Sequence, residues 1–259
     1  MKAVILAGGK GTRLRPYTTI LPKPLMPIGD MPILEILLRQ MKRAGVRDAV
    51  LTVGHLSEFL RMFFQDGQRL GMNVTYSYEE APLGTAGPLA LVDGLDDTFM
   101  VANGDVLTTL PIAKLLAFHR DSKATATIAM HRRKVHIDLG VIQLDDDSKV
   151  TGYIEKPTYD FMVSMGVYVF EPRVLDFIPT NVYLDFPDLV QRLIDAGETV
   201  SGFPFDGYWQ DLGRPDDYER AIEDFDRMRD EFLPPEPKIR FSRSNVSSHR
   251  VTAFVERGI

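Results

Sequence analysis

An uninterrupted apolar run, Ala3-Val4-Ile5-Leu6-Ala7, ends in Gly8-Gly9-Lys10-Gly11. A run with no polar face reads as a strand buried on both sides, and the glycines let the backbone turn sharply beyond it. Such a strand needs cover on both faces, which points to an α/β architecture with helices above and below a mostly parallel sheet. The next residues agree. Ile33, Ile36, Leu37, Met41 and Ala44 recur at helical spacing between Pro32 and Gly45, predicting a helix over 33–44. Strands are expected at 48–53, 73–78 and 99–102, with helices at 57–64 (capped by Ser57), 87–95 and 112–119.

After Ala124 the pattern changes. Strands at 124–130, 140–144, 150–154 and 165–170 are separated by turns, with Asp145-Asp146-Asp147-Ser148 as a solvated hairpin loop. Helical spacing returns at 172–177, 186–196 and 215–230. No composition shift divides the chain. The expected fold is one doubly wound, Rossmann-like α/β domain with a mixed sheet over residues 1–235, carrying an inserted antiparallel lobe at roughly 124–205. Residues 236–259 form a basic tail, with five Lys/Arg against one Glu over 238–259, read as a surface or subunit-contact segment; a homo-oligomer is expected.

Composition narrows the function classes. Among 259 residues the formal net charge is −6, which argues against a dedicated nucleic-acid binder. The absence of cysteine excludes disulfides, thiol nucleophiles and Cys-ligated metal. No apolar run approaches the roughly 18 residues that span a bilayer. The opening segment is too short for a signal h-region, so a cytoplasmic location without membrane partners is expected.

Three segments carry chemistry. Gly8-Gly9-Lys10-Gly11-Thr12-Arg13-Leu14 is neither a P-loop nor a dinucleotide fingerprint, and a plain strand–turn would explain its glycines as well. Arg13 has the geometry of a bidentate phosphate ligand, and Lys23 stands between Pro22 and Pro24, so two held cations near backbone amides suggest a polyphosphate site. Asp105, in Asn103-Gly104-Asp105 after a strand, is placed either as a Mg²⁺ ligand or as a turn residue. Asp211, within Tyr208-Trp209-Gln210-Asp211-Leu212-Gly213, is either a second acid for that metal or part of a packed aromatic turn. The histidines at 55, 119, 131, 136 and 249 show no metal spacing, and His131-Arg132-Arg133-Lys134 reads as a solvated loop, with contact to a substrate phosphate as the alternative.

Taken in order, these segments resemble the sugar nucleotidyltransferases, and most closely the short mannose-1-phosphate guanylyltransferase-like forms. Gly8 to Leu14, Pro22 to Ile28 with Pro32-Ile33-Leu34, Pro82-Leu83-Gly84-Thr85-Ala86-Gly87, Gly104-Asp105, Gly140-Val141, Glu155-Lys156-Pro157 and Tyr208 to Gly213 are collinear with the family's motifs over roughly residues 1–220. The resemblance implies the nucleotide-diphospho-sugar transferase fold and nucleotidyl transfer from a triphosphate to a sugar 1-phosphate. It implies Arg13, Lys23 and Asp105 as catalytic residues, and Leu6, Gly8, Gly9, Gly11, Thr12, Arg13, Glu79, Gly84 and Asp105 as nucleotide contacts. Gly140, Glu155, Lys156 and Ser164 would bind the sugar phosphate, and Asp105 with Asp211 would hold Mg²⁺. Ser164-Met165-Gly166, before the strand at 167, replaces the family's usual Asn-Ala-Gly at a hexose contact.

Two rivals differ in class. A metal-dependent glycosyltransferase would carry Asp-x-Asp where this chain has Asn103-Gly104-Asp105, and a silent regulatory subunit would have lost the cations and acids present here. The base is read from Glu79, where thymidylyltransferase relatives usually have glutamine. A carboxylate offers acceptors only, and guanine presents N1–H and N2–H₂ side by side. GTP is therefore expected, the resemblance implies a mannose- or heptose-type sugar phosphate, and uridylyl or thymidylyl transfer is the alternative.

Overall fold

The computed structural model describes residues 1–235. Strand β1 (Lys2–Leu6) is the buried strand the sequence demands, with Ala3, Val4 and Ile5 wholly shielded from solvent. Alternation along it feeds two cores: Ala3 and Ile5 pack with Leu37 and Met41, whereas Val4 packs with Phe99 and Phe186 on the other face. A short pair, β2 (Pro27–Ile28) and β3 (Met31–Pro32), leads into α1 (Ile33–Arg43). Next come β4 (Asp48–Val53), α2 (Ser57–Phe64) and β5 (Asn73–Tyr78). Removing one of the buried α1 anchors, such as Leu37→Ala, carries the usual cavity cost of about 2–5 kcal/mol.

The expected Ser57 cap does not form. Ser57 is the first helical residue, preceded by Leu56 at φ 57°, and no side chain caps the helix. The helix expected at 87–95 shortens to a 3₁₀ segment, Gly87–Leu91, with Pro88 in its first turn. The chain then enters β6 (Phe99–Asn103), β7 (Val106–Thr108) and α3 (Ile112–Ser122).

In the second half β8 (Ala126–His136), β9 (Val141–Leu144), β10 (Val150–Ile154) and β11 (Thr158–Phe170) precede α4 (Phe186–Asp195), β12 (Val200–Phe205), β13 (Trp209–Asp211) and α5 (Pro215–Phe232). The main sheet has seven strands in the order β12-β8-β11-β6-β1-β4-β5. Pairs β6–β1, β1–β4, β4–β5 and β12–β8 are parallel, while β11 is antiparallel to both neighbours. The sheet is therefore mixed. It winds outward from β1 first toward β5 and then back to β6, so β1 and β6 flank the switch point where α/β sheets open a cleft.

The lobe is less separate than the sequence suggests. β8 and β11 belong to the main sheet and run beyond it as a long antiparallel pair, Ala126↔Phe170 through His136↔Thr158. The strands expected at 124–130 and 165–170 are thus only their inner halves. Ser164-Met165-Gly166 lies inside β11, at a register shift between Ser164 and Tyr168, and does not precede the strand. His131 to Lys134 lies on β8 and is not a loop. Only β9 and β10 form a detached hairpin, closed by the acidic turn, where Asp145 Oδ1 accepts the N–H groups of Asp147 (3.0 Å) and Lys149 (2.8 Å). The basic tail at 236–259, with His249, lies outside the described residues.

Candidate active site

The cleft opens at the carboxyl ends of β1, β4, β5 and β6, and its segments share residues. One is lined by Leu6, Gly9, Gly11, Thr12, Arg13, Lys23 and Asp105. A second shares Leu6, Gly9 and Asp105 with it and adds Gly8, Glu79 and Gly84. All nine residues implied as nucleotide contacts therefore line one continuous space. Of the loop glycines only Gly11 takes a positive φ (59°), so the left-handed turn sits at the end of the loop.

Lys23 is the centre of this site. Pro22 and Pro24 hold it in a one-turn 3₁₀ segment, and the residue is only 9% exposed. Its Nζ donates to Asp105 Oδ2 and lies 3.6 Å from Asp211 Oδ1. Asp105 follows β6, whereas Asp211 comes from β13, which pairs with β7 so that Asp211 faces Val106. Two acids about a hundred residues apart thus converge. Burial pushes the Asp211 carboxyl up, and the negative charge of Asp105 adds to this, against the opposing pull of Lys23 and Arg13. Asp105 Oδ1 is buried with no hydrogen-bond partner among the described residues. An orphaned carboxylate oxygen beside a second, mutually repelled carboxylate suits a divalent cation, although no group of three or more His, Cys, Asp or Glu is found among the described residues.

The loop from Glu79 to Gly87 is pinned from a distance. Glu79 Oε2 accepts the Leu83 N–H at 3.0 Å, and a side chain at Gly8 would meet Glu79 Oε1 at 2.9 Å, so the carboxylate rests against the glycine loop. The sequence reading left both oxygens for a ligand; one is already engaged. Burial pushes the Glu79 carboxyl up, partly offset by that N–H. Gly84 sits at φ 80°, and a Cβ there would lie 2.5 Å from the Leu184 carbonyl. Asp185 Oδ1 accepts from both the N–H (2.9 Å) and Oγ1 (3.1 Å) of Thr85. Asp185, Tyr183 and His55 line the base segment and were missed by the sequence reading. The Asp before Phe186-Pro187 reads locally only as a helix start, and its contact to Thr85 is visible only in three dimensions.

The acceptor residues are not gathered in the same way. Lys156, at φ 45°, pairs with Asp138 at 3.2 Å and is half exposed, and Gly140 packs against the ring of Tyr153. Ser164 donates to the Tyr168 hydroxyl at 2.9 Å. Gly140, Glu155, Lys156 and Ser164 line neither segment described above. Of the dismissed histidines, His119 is a satisfied core residue between Thr127 and Glu171, but His55 and His131 face the cleft.

A sequence profile of the family described as nucleotidyl transferase matches residues 2–227. The chain belongs to the nucleotidyl transferase family. A UTP–glucose-1-phosphate uridylyltransferase of Synechocystis is 37% identical over 242 residues, covering 86% of this chain and 62% of the relative. A mannose-1-phosphate guanylyltransferase of Mycobacterium tuberculosis is also 37% identical, covering 95% of this chain and 69% of the relative. This nucleotidyl transferase family member thus spans about two thirds of the length of these relatives. Among solved structures, a putative glucose-1-phosphate thymidylyltransferase from Bacillus anthracis superposes with a TM-score of 0.70 at 25% identity, covering 86% of this chain and 94% of that one. No helix among the described residues is long and apolar enough to cross a membrane.

Proposed function

We propose that the chain transfers a nucleotidyl group from a triphosphate, GTP in preference to others, to a sugar 1-phosphate of the mannose or heptose type, releasing pyrophosphate. The observation that carries this reading is buried Lys23, touching Asp105 and facing Asp211 beside an amide-rich loop at the switch point of the sheet. An oxygen of the sugar phosphate bonds to the α-phosphorus while the bond to the bridging oxygen of the β-phosphate breaks, and that electron pair leaves with pyrophosphate. The acceptor is already anionic near neutral pH, so no side chain need remove a proton. The barrier is repulsion between phosphates, and the protein's work is alignment and neutralisation.

In this reading the backbone at Leu6, Gly8, Gly9, Gly11 and Thr12 holds the nucleotide. Arg13 and Lys23 neutralise the triphosphate and the departing pyrophosphate. A divalent ion such as Mg²⁺, held by Asp105 and Asp211, supplies Lewis-acid charge at the α-phosphate when bound. Gly140, Glu155, Lys156 and Ser164 receive the sugar phosphate. Glu79 selects guanine, its free lone pairs accepting base N–H donors that offset the cost of its burial. The Mycobacterium tuberculosis and Yarrowia lipolytica relatives, both named for guanylyl transfer, support that choice. The equally similar Synechocystis relative supports uridylyl transfer as the second reading. A panel of GTP, UTP, dTTP, ATP and CTP against several sugar 1-phosphates, read by pyrophosphate release, tests both. GTP leading in kcat/KM is the expected result, and a clear lead for UTP or dTTP would overturn the assignment of Glu79.

A further inference from the structure

Beyond Arg13 the cleft continues into a groove whose outer cations the proposed reaction leaves unused. Arg132, Arg133 and Lys134 reach it from the outer half of β8, Arg214 and Arg220 from the start of α5, and Arg13 from the glycine loop. Among the described residues none of these six cations forms an ion pair with a carboxylate. The acids at the groove are Asp211, already near Lys23, and Asp217. Six like charges lining one concavity repel one another, and an anion seated among them would relieve that repulsion through charge-assisted contacts.

The groove has a built floor. His131 packs on Trp209 with ring centroids 5.5 Å apart, and its Nδ1–H donates to the Phe205 carbonyl at 3.0 Å. Trp209 Nε1 donates to the Met165 carbonyl at 3.0 Å, tying β13 to the β11 register shift. Across the β8–β11 ladder His131 faces Val163 and Met130 faces Ser164. The groove therefore touches the polyphosphate segment through Arg13 and runs beside the strand that carries the proposed sugar contact Ser164.

We infer that this groove is a second anion site, outward of the one at Lys23, binding a multiply charged oxyanion. Its orientation rests on the proposed transfer reaction, and that chemistry has two sources. One is the departing pyrophosphate, which moves outward past Arg13. The other is an acidic substituent, phosphate or carboxylate, on the sugar acceptor.

The test uses the full chain and the triple variant R132Q/R133Q/K134Q, whose positions are exposed on β8. A second variant, R214Q/R220Q, removes charge from the α5 side should the triple variant fold poorly. Calorimetry with inorganic pyrophosphate in EDTA needs no turnover. A rise in Kd of about tenfold or more in either variant supports the pyrophosphate source. Unchanged pyrophosphate binding, with a KM for a hexuronic acid 1-phosphate that rises while that for the neutral hexose 1-phosphate does not, supports the acidic acceptor. Both quantities unchanged in a folded, active variant overturn the site. A wild type that binds pyrophosphate through these residues yet turns over no triphosphate with any sugar phosphate would remove the proposed reaction and leave the groove standing.

Discussion

Lys23 and Lys156, assigned to opposite ends of the same transfer, are held in contrasting ways. The Lys23 side chain is 10% exposed, stands between two prolines and touches the converging acids Asp105 and Asp211. Lys156 is 54% exposed and, among the described residues, pairs only with Asp138, itself 79% exposed. An exposed pair of that kind is worth about 0–1 kcal/mol, so little holds Lys156 to Asp138. Lys23 has no such freedom. In the proposed reaction the nucleotide side of the cleft is pre-organised for the chemical step, whereas the acceptor side is open.

The largest expected effect falls on the rigid side. Asp105→Asn and Asp211→Asn should each lower kcat on the order of 10²-fold or more in steady-state assays, the scale of losing a major electrostatic element. Near-normal turnover in either variant would erase the distinction between the two sides. Next comes the split between the lysines. Lys156→Ala should raise the KM for sugar 1-phosphate more than that for the triphosphate, and Lys23→Ala should show the reverse bias with a lower kcat. Equal effects on both substrates would break the comparison at its root.

Smaller still is the effect at the base loop. Glu79→Gln keeps an acceptor for the Leu83 N–H but presents an N–H₂ where guanine needs acceptors. The kcat/KM ratio of GTP to UTP should fall by about tenfold, the order of one charge-assisted hydrogen bond. The smallest effect is on stability. Burial raises the Glu79 carboxyl, so its ionised form opposes folding. That penalty is absent in acid, where the side chain is protonated in folded and unfolded chains alike. It appears as pH rises from the ordinary carboxylate range through the raised value, and persists above it. Thermal melts of Glu79→Gln should therefore match the wild type in acid and lie above it at neutral pH; a lower melting temperature at neutral pH would contradict the assignment.

The same contrast governs how much the sequence discloses. β1, α1, β4, α2 and β5 are legible almost to the residue because burial marks each: β1 and β4 bury both faces as apolar runs, and α1, α2 and β5 bury one face at a regular period. The outer halves of β8 and β11 bury neither face, so His131 to Lys134 carry no alternation and pass for a loop. The cap at Ser57 fails because Leu56 turns left-handed before it, which no local pattern announces. The convergence of Asp105 with Asp211 is suggested by the family resemblance, since their separation in sequence hides it. Asp185, itself held by the Tyr183 hydroxyl, bonds Thr85 across about a hundred residues and leaves no local signal at all. The basic groove combines β8 with α5, and only the fold brings its two halves together.

Transfer of the α-phosphorus distinguishes this chemistry from hydrolysis, and the fate of that atom can be followed. Incubated with GTP labelled at the α-phosphorus and mannose 1-phosphate, the chain should place the label in the sugar nucleotide, with one pyrophosphate released per product and no labelled GMP. Label released as free GMP, or retained in GTP with every sugar 1-phosphate tried, would contradict the account.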